Sequence, residues 1–205
     1  MTEVLIVRTG TANTASVIAA FERLGCAPRL CAEADAIREA PRVVLPGVGT
    51  FAAARDALGS LASAIQERIF AAKPTLSICL GLQLLAEGSE ESPSARGLAL
   101  LPGRARRFTG AVRIPQLGWN RVEASSSCKL LESGEAYYAN SYRLDPVVPK
   151  GWAMASTQHG EDFLAACERG PVLACQFHPE LSGPWGMRLL QRWLDAARAW
   201  EAQAC

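Results

Sequence analysis

The sequence predicts an α/β fold in which a central, mostly parallel sheet is flanked by helices and continued by an antiparallel extension. From Val4 to Ala86, short apolar runs alternate with stretches of helical periodicity, the pattern of a sheet covered on both faces. From Arg104 onward the apolar segments are shorter and follow one another closely, as antiparallel strands do. No linker, internal repeat or low-complexity tract interrupts the 205 residues, so one domain over 1–205 is the economical reading.

Val4 to Val7 reads as a first strand, followed by the turn-rich loop Thr9-Gly10-Thr11-Ala12-Asn13. From Thr14, Val17, Ile18, Phe21 and Leu24 recur at helix-face spacing, and Gly25 is a stop. Arg29 to Cys31 suits a second strand, Ala34 to Ala40 a small helix, and Val43 to Leu45 a third strand ending in Pro46-Gly47-Val48-Gly49. Two helical patterns follow, Phe51 to Leu58 and Leu61 to Ala71, before Lys73-Pro74 breaks the second. Leu76 to Ile78 is then a buried strand, Cys79 a junction, and Leu82 to Ala86 the start of a helix. Gly88 to Pro93 reads as a polar loop and Leu98 to Gly103 as a connector. Strands are expected at Ala105–Phe108, Arg121–Glu123, Ala136–Ala139, Trp152–Ser156, Phe163–Cys167 and Val172–Phe177. Ser182 is placed to cap a last helix from about Pro184, with Met187, Leu190, Leu194 and Ala197 on one face.

Composition narrows the function. The chain is 49% hydrophobic and 20% charged, as ordinary soluble globular proteins are. Its 21 basic and 20 acidic side chains leave a formal charge of +1, which provides no electrostatic footprint for nucleic acid or an anionic membrane. No run approaches the roughly 18 to 20 apolar residues of a membrane span, and the N-terminus lacks a secretory pattern. Seven cysteines without CxxC spacing and only two histidines make a zinc site unexpected. The expectation is a reduced, cytoplasmic protein with mostly structural thiols and neither metal nor other cofactor.

Cys79 stands apart from the other thiols. Ser77 and Gly81 flank it at two residues on either side, the small neighbours that a strained strand-to-helix turn requires. Such a turn aims the sulfur into a cleft at the carboxyl end of a strand, where the Pro46–Gly49 loop also lies. The same residues also suit a buried structural cysteine. A thiol with a pKa of about 8.5 needs a base. His178, followed by Pro179 and then by Glu180 to orient the ring, is the better placed of the two histidines, although alone it also fits a structural role. His159 falls in what reads as an exposed hairpin turn. The amide of Leu80 and one from Gly47-Val48-Gly49 can face a developing oxyanion. No GxxxxGK[ST] or GxGxxG pattern follows that loop, which excludes a phosphate cradle. The residues therefore point to acyl transfer by a Cys-His-Glu set, without naming a substrate.

Ser77-Ile-Cys79-Leu-Gly-Leu-Gln83-Leu-Leu, together with Gln176-Phe-His178-Pro-Glu180, resembles the signature of class I glutamine amidotransferases. Leu45-Pro-Gly-Val-Gly-Thr-Phe51, Pro115-Gln-Leu-Gly-Trp-Asn120, Tyr137-Tyr-Ala-Asn-Ser-Tyr142 and the opening Thr9–Asn13 loop resemble the glutaminase subunit of imidazole glycerol phosphate synthase. The similarity spans essentially the whole chain and implies the class I glutamine amidotransferase (flavodoxin-like) fold. It implies hydrolysis of L-glutamine to glutamate and ammonia, with ammonia channelled to a cyclase subunit, a (β/α)8 barrel, in a heterodimer. That partner makes imidazole glycerol phosphate and AICAR in histidine biosynthesis.

Carried over by position, Cys79 becomes the nucleophile, His178 the base and then the acid, and Glu180 its orienting carboxylate. Leu80 and the Val48–Gly49 peptide become the oxyanion hole. Gln83, Ser141 and Tyr142 hold the substrate, while Asn13, Trp119, Asn120 and Tyr137 lie toward the partner. Trp119 and Tyr137 also suit core aromatics. Four positions depart from the family pattern: Ser77 for glycine, Asn140 for histidine, Leu181 for a basic residue and Arg8 for an acidic one. The alternatives are the glutaminase subunit of another ammonia-using synthase, a non-catalytic regulatory subunit that retains the fold, and a free-standing cysteine hydrolase.

Overall fold

The computed structural model describes residues 2–9 and 14–204. Over them the first half alternates as expected: β1 (Thr2–Val7), α1 (Thr14–Arg23), β2 (Cys26–Cys31), α2 (Ala34–Glu39), β3 (Val43–Leu45), α3 (Phe51–Leu58), α4 (Leu61–Phe70), β4 (Thr75–Ile78) and α5 (Leu80–Leu84). The second half holds β5 (Gly88–Ser89), β6 (Ser92–Arg96), β7 (Arg104–Arg107), β8 (Gln116–Ala124), β9 (Gly134–Asn140), β10 (Tyr142–Arg143), β11 (Ala153–His159), β12 (Glu161–Arg169) and β13 (Val172–Cys175). A 3₁₀ turn, Pro179–Leu181, then leads into α6 (Gly183–Ala204).

Among the described residues one sheet has nine strands, in the order β2-β1-β3-β4-β13-β12-β11-β8-β9. It is parallel from β2 to β13 and antiparallel from there to β9, so the extension adds as many strand pairings as the parallel part holds. A smaller sheet, β10-β7-β5-β6, packs beside it. Successive residues of β1 enter opposite cores: Leu5 and Val7 join α2, α3 and α4, whereas Val4 and Ile6 join α1 and α6. This is why the strand reads as an unbroken apolar run rather than an alternation.

Several boundaries differ from the sequence expectation. The segment Gly88 to Pro93 is not a loop: β5 and β6 pair antiparallel through it. The helix after Cys79 begins at Leu80, not Leu82, and lasts five residues. Strand β13 ends at Cys175, with Gln176 and Phe177 beyond it. Ser182 does not cap α6 through its side chain; its hydroxyl donates to the His178 carbonyl and accepts from the Tyr137 amide. Asn13 lies outside the described residues.

One buried cation holds the start of β4. Arg68 of α4 has no exposed surface, and its guanidinium donates to the carbonyls of Ile37, Ala40 and Pro74 at 2.9, 2.6 and 2.7 Å and to Thr75 Oγ1 at 3.3 Å. Burial lowers its pKa to about 10, with Glu39 opposing, so it remains charged at neutral pH. Arg68→Met should orphan those carbonyls and cost about 3 kcal/mol or more in urea unfolding. A loss below about 1 kcal/mol would show that the clamp is dispensable.

Candidate active site

The site is assembled by a strand register. β4 and β13 run parallel with Ile78 opposite Cys175. The residues just past each strand end, Cys79 on one side and Gln176 to His178 on the other, are thereby brought together. The Cys79 amide continues the ladder by donating to the Cys175 carbonyl at 2.8 Å. Cys79 has φ 55° and ψ −111°, a conformation that L residues rarely adopt, as the sequence led one to expect.

Two glycines make that turn possible. A Cβ on Gly81 would sit 2.2 Å from the Leu45 carbonyl oxygen, and one on Gly47 would sit 2.9 Å from the Leu80 Cβ. The Pro46–Gly49 loop therefore packs directly on the nucleophile turn, and Gly49 has φ 95°, open to glycine at little cost. Glu91, at the tip of the β5–β6 hairpin, accepts from the Phe51 amide at 2.6 Å, and Ser92 Oγ accepts from Ala52. Together they pin the far end of the loop.

A cavity of about 170 Å³ opens on the sulfur, below the roughly 300 Å³ at which drug-sized pockets begin. Val48, Gly49, Cys79, Leu80, Gln83, Ser141 and Tyr142 all line it, together with Glu91 and Asn140. Glu91 went unnoticed in the sequence: it lies in a polar stretch, and its contact with Phe51 spans 40 residues. A carboxylate in a cavity of this size is suited to an α-ammonium group.

The lining residues are already ordered by internal bonds. Gln83 Nε2 donates to the Tyr142 carbonyl at 3.0 Å and to Gln176 Oε1 at 2.9 Å, so its amide hydrogens build the back wall. Gln176 Nε2 lies 3.7 Å from Cys79 Sγ. Asn140 Nδ2 also donates to the Tyr142 carbonyl, at 3.0 Å. The next residue, Arg143, is buried and paired with Asp145 and Glu161, which anchors the Ser141–Tyr142 segment.

His178 is oriented as the triad logic requires. Its Nδ1 is 2.8 Å from Glu180 Oε1, and that carboxylate is almost wholly buried. Burial alone would lower the ring's pKa, but hydrogen bonding and charge from Cys79 and Glu180 outweigh it and raise the value from 6.5 to about 10. The site thus favours the imidazolium form of His178. The His178 amide donates to the Tyr137 carbonyl at 2.9 Å.

Trp119 and Tyr137 are not core residues. Trp119 is 57% exposed, and its ring meets that of Tyr137 edge-on at 6.2 Å, as their direct pairing on β8 and β9 dictates. Asn120 donates from Nδ2 to the Gln158 carbonyl and accepts from the Arg121 amide. Leu117 and Leu181 are also exposed, whereas Ser77 is buried in β4. Among the described residues there is no group of acidic, histidine or cysteine side chains fit to hold a metal ion, and no helix long and apolar enough to cross a membrane.

A strained cysteine at a strand-to-helix turn, facing an imidazolium and its buried carboxylate, is the constellation of an acyl-transferring thiol enzyme. The chain belongs to the class I glutamine amidotransferase family, whose model matches residues 5–197. A solved glutamine amidotransferase crystal structure shares the fold, with a TM-score of 0.74 at 18% identity over 95% of this chain and 98% of that one. Within the family the chain groups with the HisH subunits of imidazole glycerol phosphate synthase. It is 41% identical to that of Xylella fastidiosa over 95% of this chain and 98% of the relative. It is 35% identical to that of Methanothermobacter thermautotrophicus over 96% and 100%. It is also 37% identical to the imidazole glycerol phosphate synthase hisHF of Arabidopsis thaliana, matching 90% of this chain but 33% of that longer protein.

The raised pKa of His178 has a definite sign. Its stabilising contribution is complete below pH 6.5 and is lost as pH rises through about 10. NMR titration of the imidazole should show the proton retained past pH 9 in the native chain. In Glu180→Gln the midpoint should fall by about one unit or more. A native midpoint near 6.5 would contradict the assignment.

Proposed function

We propose that the chain is the glutaminase subunit of an imidazole glycerol phosphate synthase, hydrolysing L-glutamine through a thioester on Cys79 in histidine biosynthesis. The observation that carries this reading is the set of Cys79, His178 and Glu180 in mutual contact, with the Cys79 thiol opening on a cavity of amino-acid size. The sulfur is the nucleophile, and His178 holds its proton during the attack. The thiolate attacks the substrate's carboxamide carbon, and the oxyanion takes hydrogen bonds from the Leu80 amide and the Val48–Gly49 peptide. His178 then donates its proton to the departing nitrogen, so ammonia leaves and a γ-glutamyl thioester remains. The neutral ring takes a proton from water, whose oxygen attacks the thioester carbon; glutamate departs and the thiolate–imidazolium pair returns. Ser141, Tyr142 and Gln83 frame the amino-acid end of the substrate, with Glu91 facing its ammonium group.

The ammonia passes to a cyclase (β/α)8-barrel subunit bound as a heterodimer. Exposed Leu117, Trp119 and Leu181 form the apolar part of the docking face, the kind of surface that marks a partner. Tyr137 connects that face to the chemistry: its ring touches Trp119, and its backbone bonds His178 and Ser182. Asn120 lies beside it, and Asn13 is assigned to the same side from the sequence alone. The departure at Leu181 alters charge on this face without touching the catalytic set. A regulatory subunit without activity would not require the Cys79–His178–Glu180 geometry.

Glutamate release should be low for the chain alone and rise strongly with the barrel and its nucleotide substrate. Cys79→Ala should abolish it while leaving cyclisation with free ammonia intact. Glutamine turnover indifferent to the barrel would argue for a free-standing hydrolase. Trp119→Ala should weaken the complex about tenfold or more in calorimetric titration, since exposed tryptophans are frequent anchors; an unchanged affinity would remove Trp119 from the interface.

A further inference from the structure

Gln176 has no exposed surface and stands one residue beyond β13, level with Cys79 across the sheet. Its orientation follows from hydrogen-bond polarity. The Tyr142 carbonyl can only accept, so the Gln83 side chain must present its NH₂ there. The second hydrogen of that NH₂ then requires an acceptor from Gln176, which fixes Oε1 toward Gln83 and leaves Nε2 toward the sulfur. A backbone carbonyl at the amino-acid end of the cavity thus sets the direction of a chain of carboxamides that ends at the nucleophile. Asn140, bonded to the same carbonyl, holds its starting point.

We infer that Gln176 is a positioning residue for the glutaminase reaction: its amide N–H donates to the Cys79 thiolate and fixes the sulfur relative to the Tyr142 backbone that frames the substrate. A donor aimed at sulfur favours the charged form and restrains its rotamer. The other groups facing Cys79 are His178 and Glu180 beyond β13, the Cys175 thiol on β13, Tyr142, and Glu91 across the cavity. Burial keeps Cys175 protonated, and Glu91 is engaged with the Phe51 amide. His178 also bonds the sulfur, but it must give up its proton in the reaction; the Gln176 amide adds a donor that takes no part in proton transfer. The inference rests on Cys79 being the nucleophile, which Cys79→Ala tests separately.

The test uses the full chain with iodoacetamide as the probe and the Cys79 adduct quantified by mass spectrometry. Gln176→Met keeps length and volume but removes the donor. Its rate–pH profile for Cys79 alkylation should move to higher pH, with the neutral-pH rate at least tenfold lower. In complex with the barrel, kcat for glutamine should fall at least tenfold while KM changes less than threefold. Gln176→Glu, which sets an acceptor against the sulfur, should shift the profile at least as far in the same direction. In the unsubstituted chain, alkylation of Cys79 should shift the Gln176 side-chain amide resonances, a readout that needs no variant to fold. An unmoved profile in a folded variant, equal losses in kcat and KM with the profile unmoved, or amide resonances indifferent to alkylation would each overturn the inference.

Discussion

The parallel pairing of β4 with β13 is the constraint on which the rest depends. The two strands are almost a hundred residues apart in the chain, yet their register alone decides which residues meet past their carboxyl ends. A slip of one residue would turn Cys79 and His178 to opposite faces, because strand side chains alternate with a period of two. The register is protected at both ends. Thr75 pairs with Val172 beneath the Arg68 clamp, and the Cys79 amide adds one further bond at the catalytic edge. Burial on both faces removes any alternative register that would leave polar groups inside, and it places the site at the edge where α/β sheets bind ligands.

The strain at Cys79 is local and locally supported. A non-glycine residue held at positive φ costs on the order of 1 to 3 kcal/mol. Here it is offset by the close seating of Gly47 and Gly81 and by the apolar contacts of Leu80, Leu82 and Leu84 in the core. Helix α5 is only five residues long, so its macrodipole is a weak source of charge stabilisation. Charge at this site comes from discrete groups instead: the imidazolium of His178, the Gln176 amide and the backbone amides of the turn. That makes the chemistry sensitive to the aim of single bonds. The exposed edge of the sheet is connected to it, since Tyr137 bonds His178 through its backbone while its ring meets Trp119 edge-on.

The first half of the fold was legible in the sequence because its apolar runs are short and alternate with helices that carry a clear face. The antiparallel half was legible in outline only. In β8, Leu117, Trp119, Arg121 and Glu123 are exposed, so the apolar signal shrank to a few residues around Val122 in a nine-residue strand. The β5–β6 hairpin was invisible because Ser89, Glu90, Glu91 and Ser92 read as loop, although Ser89 is fully buried. At the site, the cysteine turn and the His-x-Glu pair could be read from local chemistry. Glu91, Gln176 and the ordering role of Gln83 could not, since each acts through a partner 40 or more residues away. Ser182 looked like a helix cap because its position suits one, but the His178 carbonyl and the Tyr137 amide claim its hydroxyl first.

Geometry sets Cys79 apart from the other described thiols. The most direct measurement treats the full chain, with the cyclase barrel present, with a glutamine analogue bearing an electrophilic carbon in place of the carboxamide, and maps the adducts by mass spectrometry. The expected result is a single adduct on Cys79, blocked by excess glutamine and lost in His178→Ala. Labelling that falls on the half-buried Cys128, or labelling of Cys79 that ignores glutamine, would contradict the account.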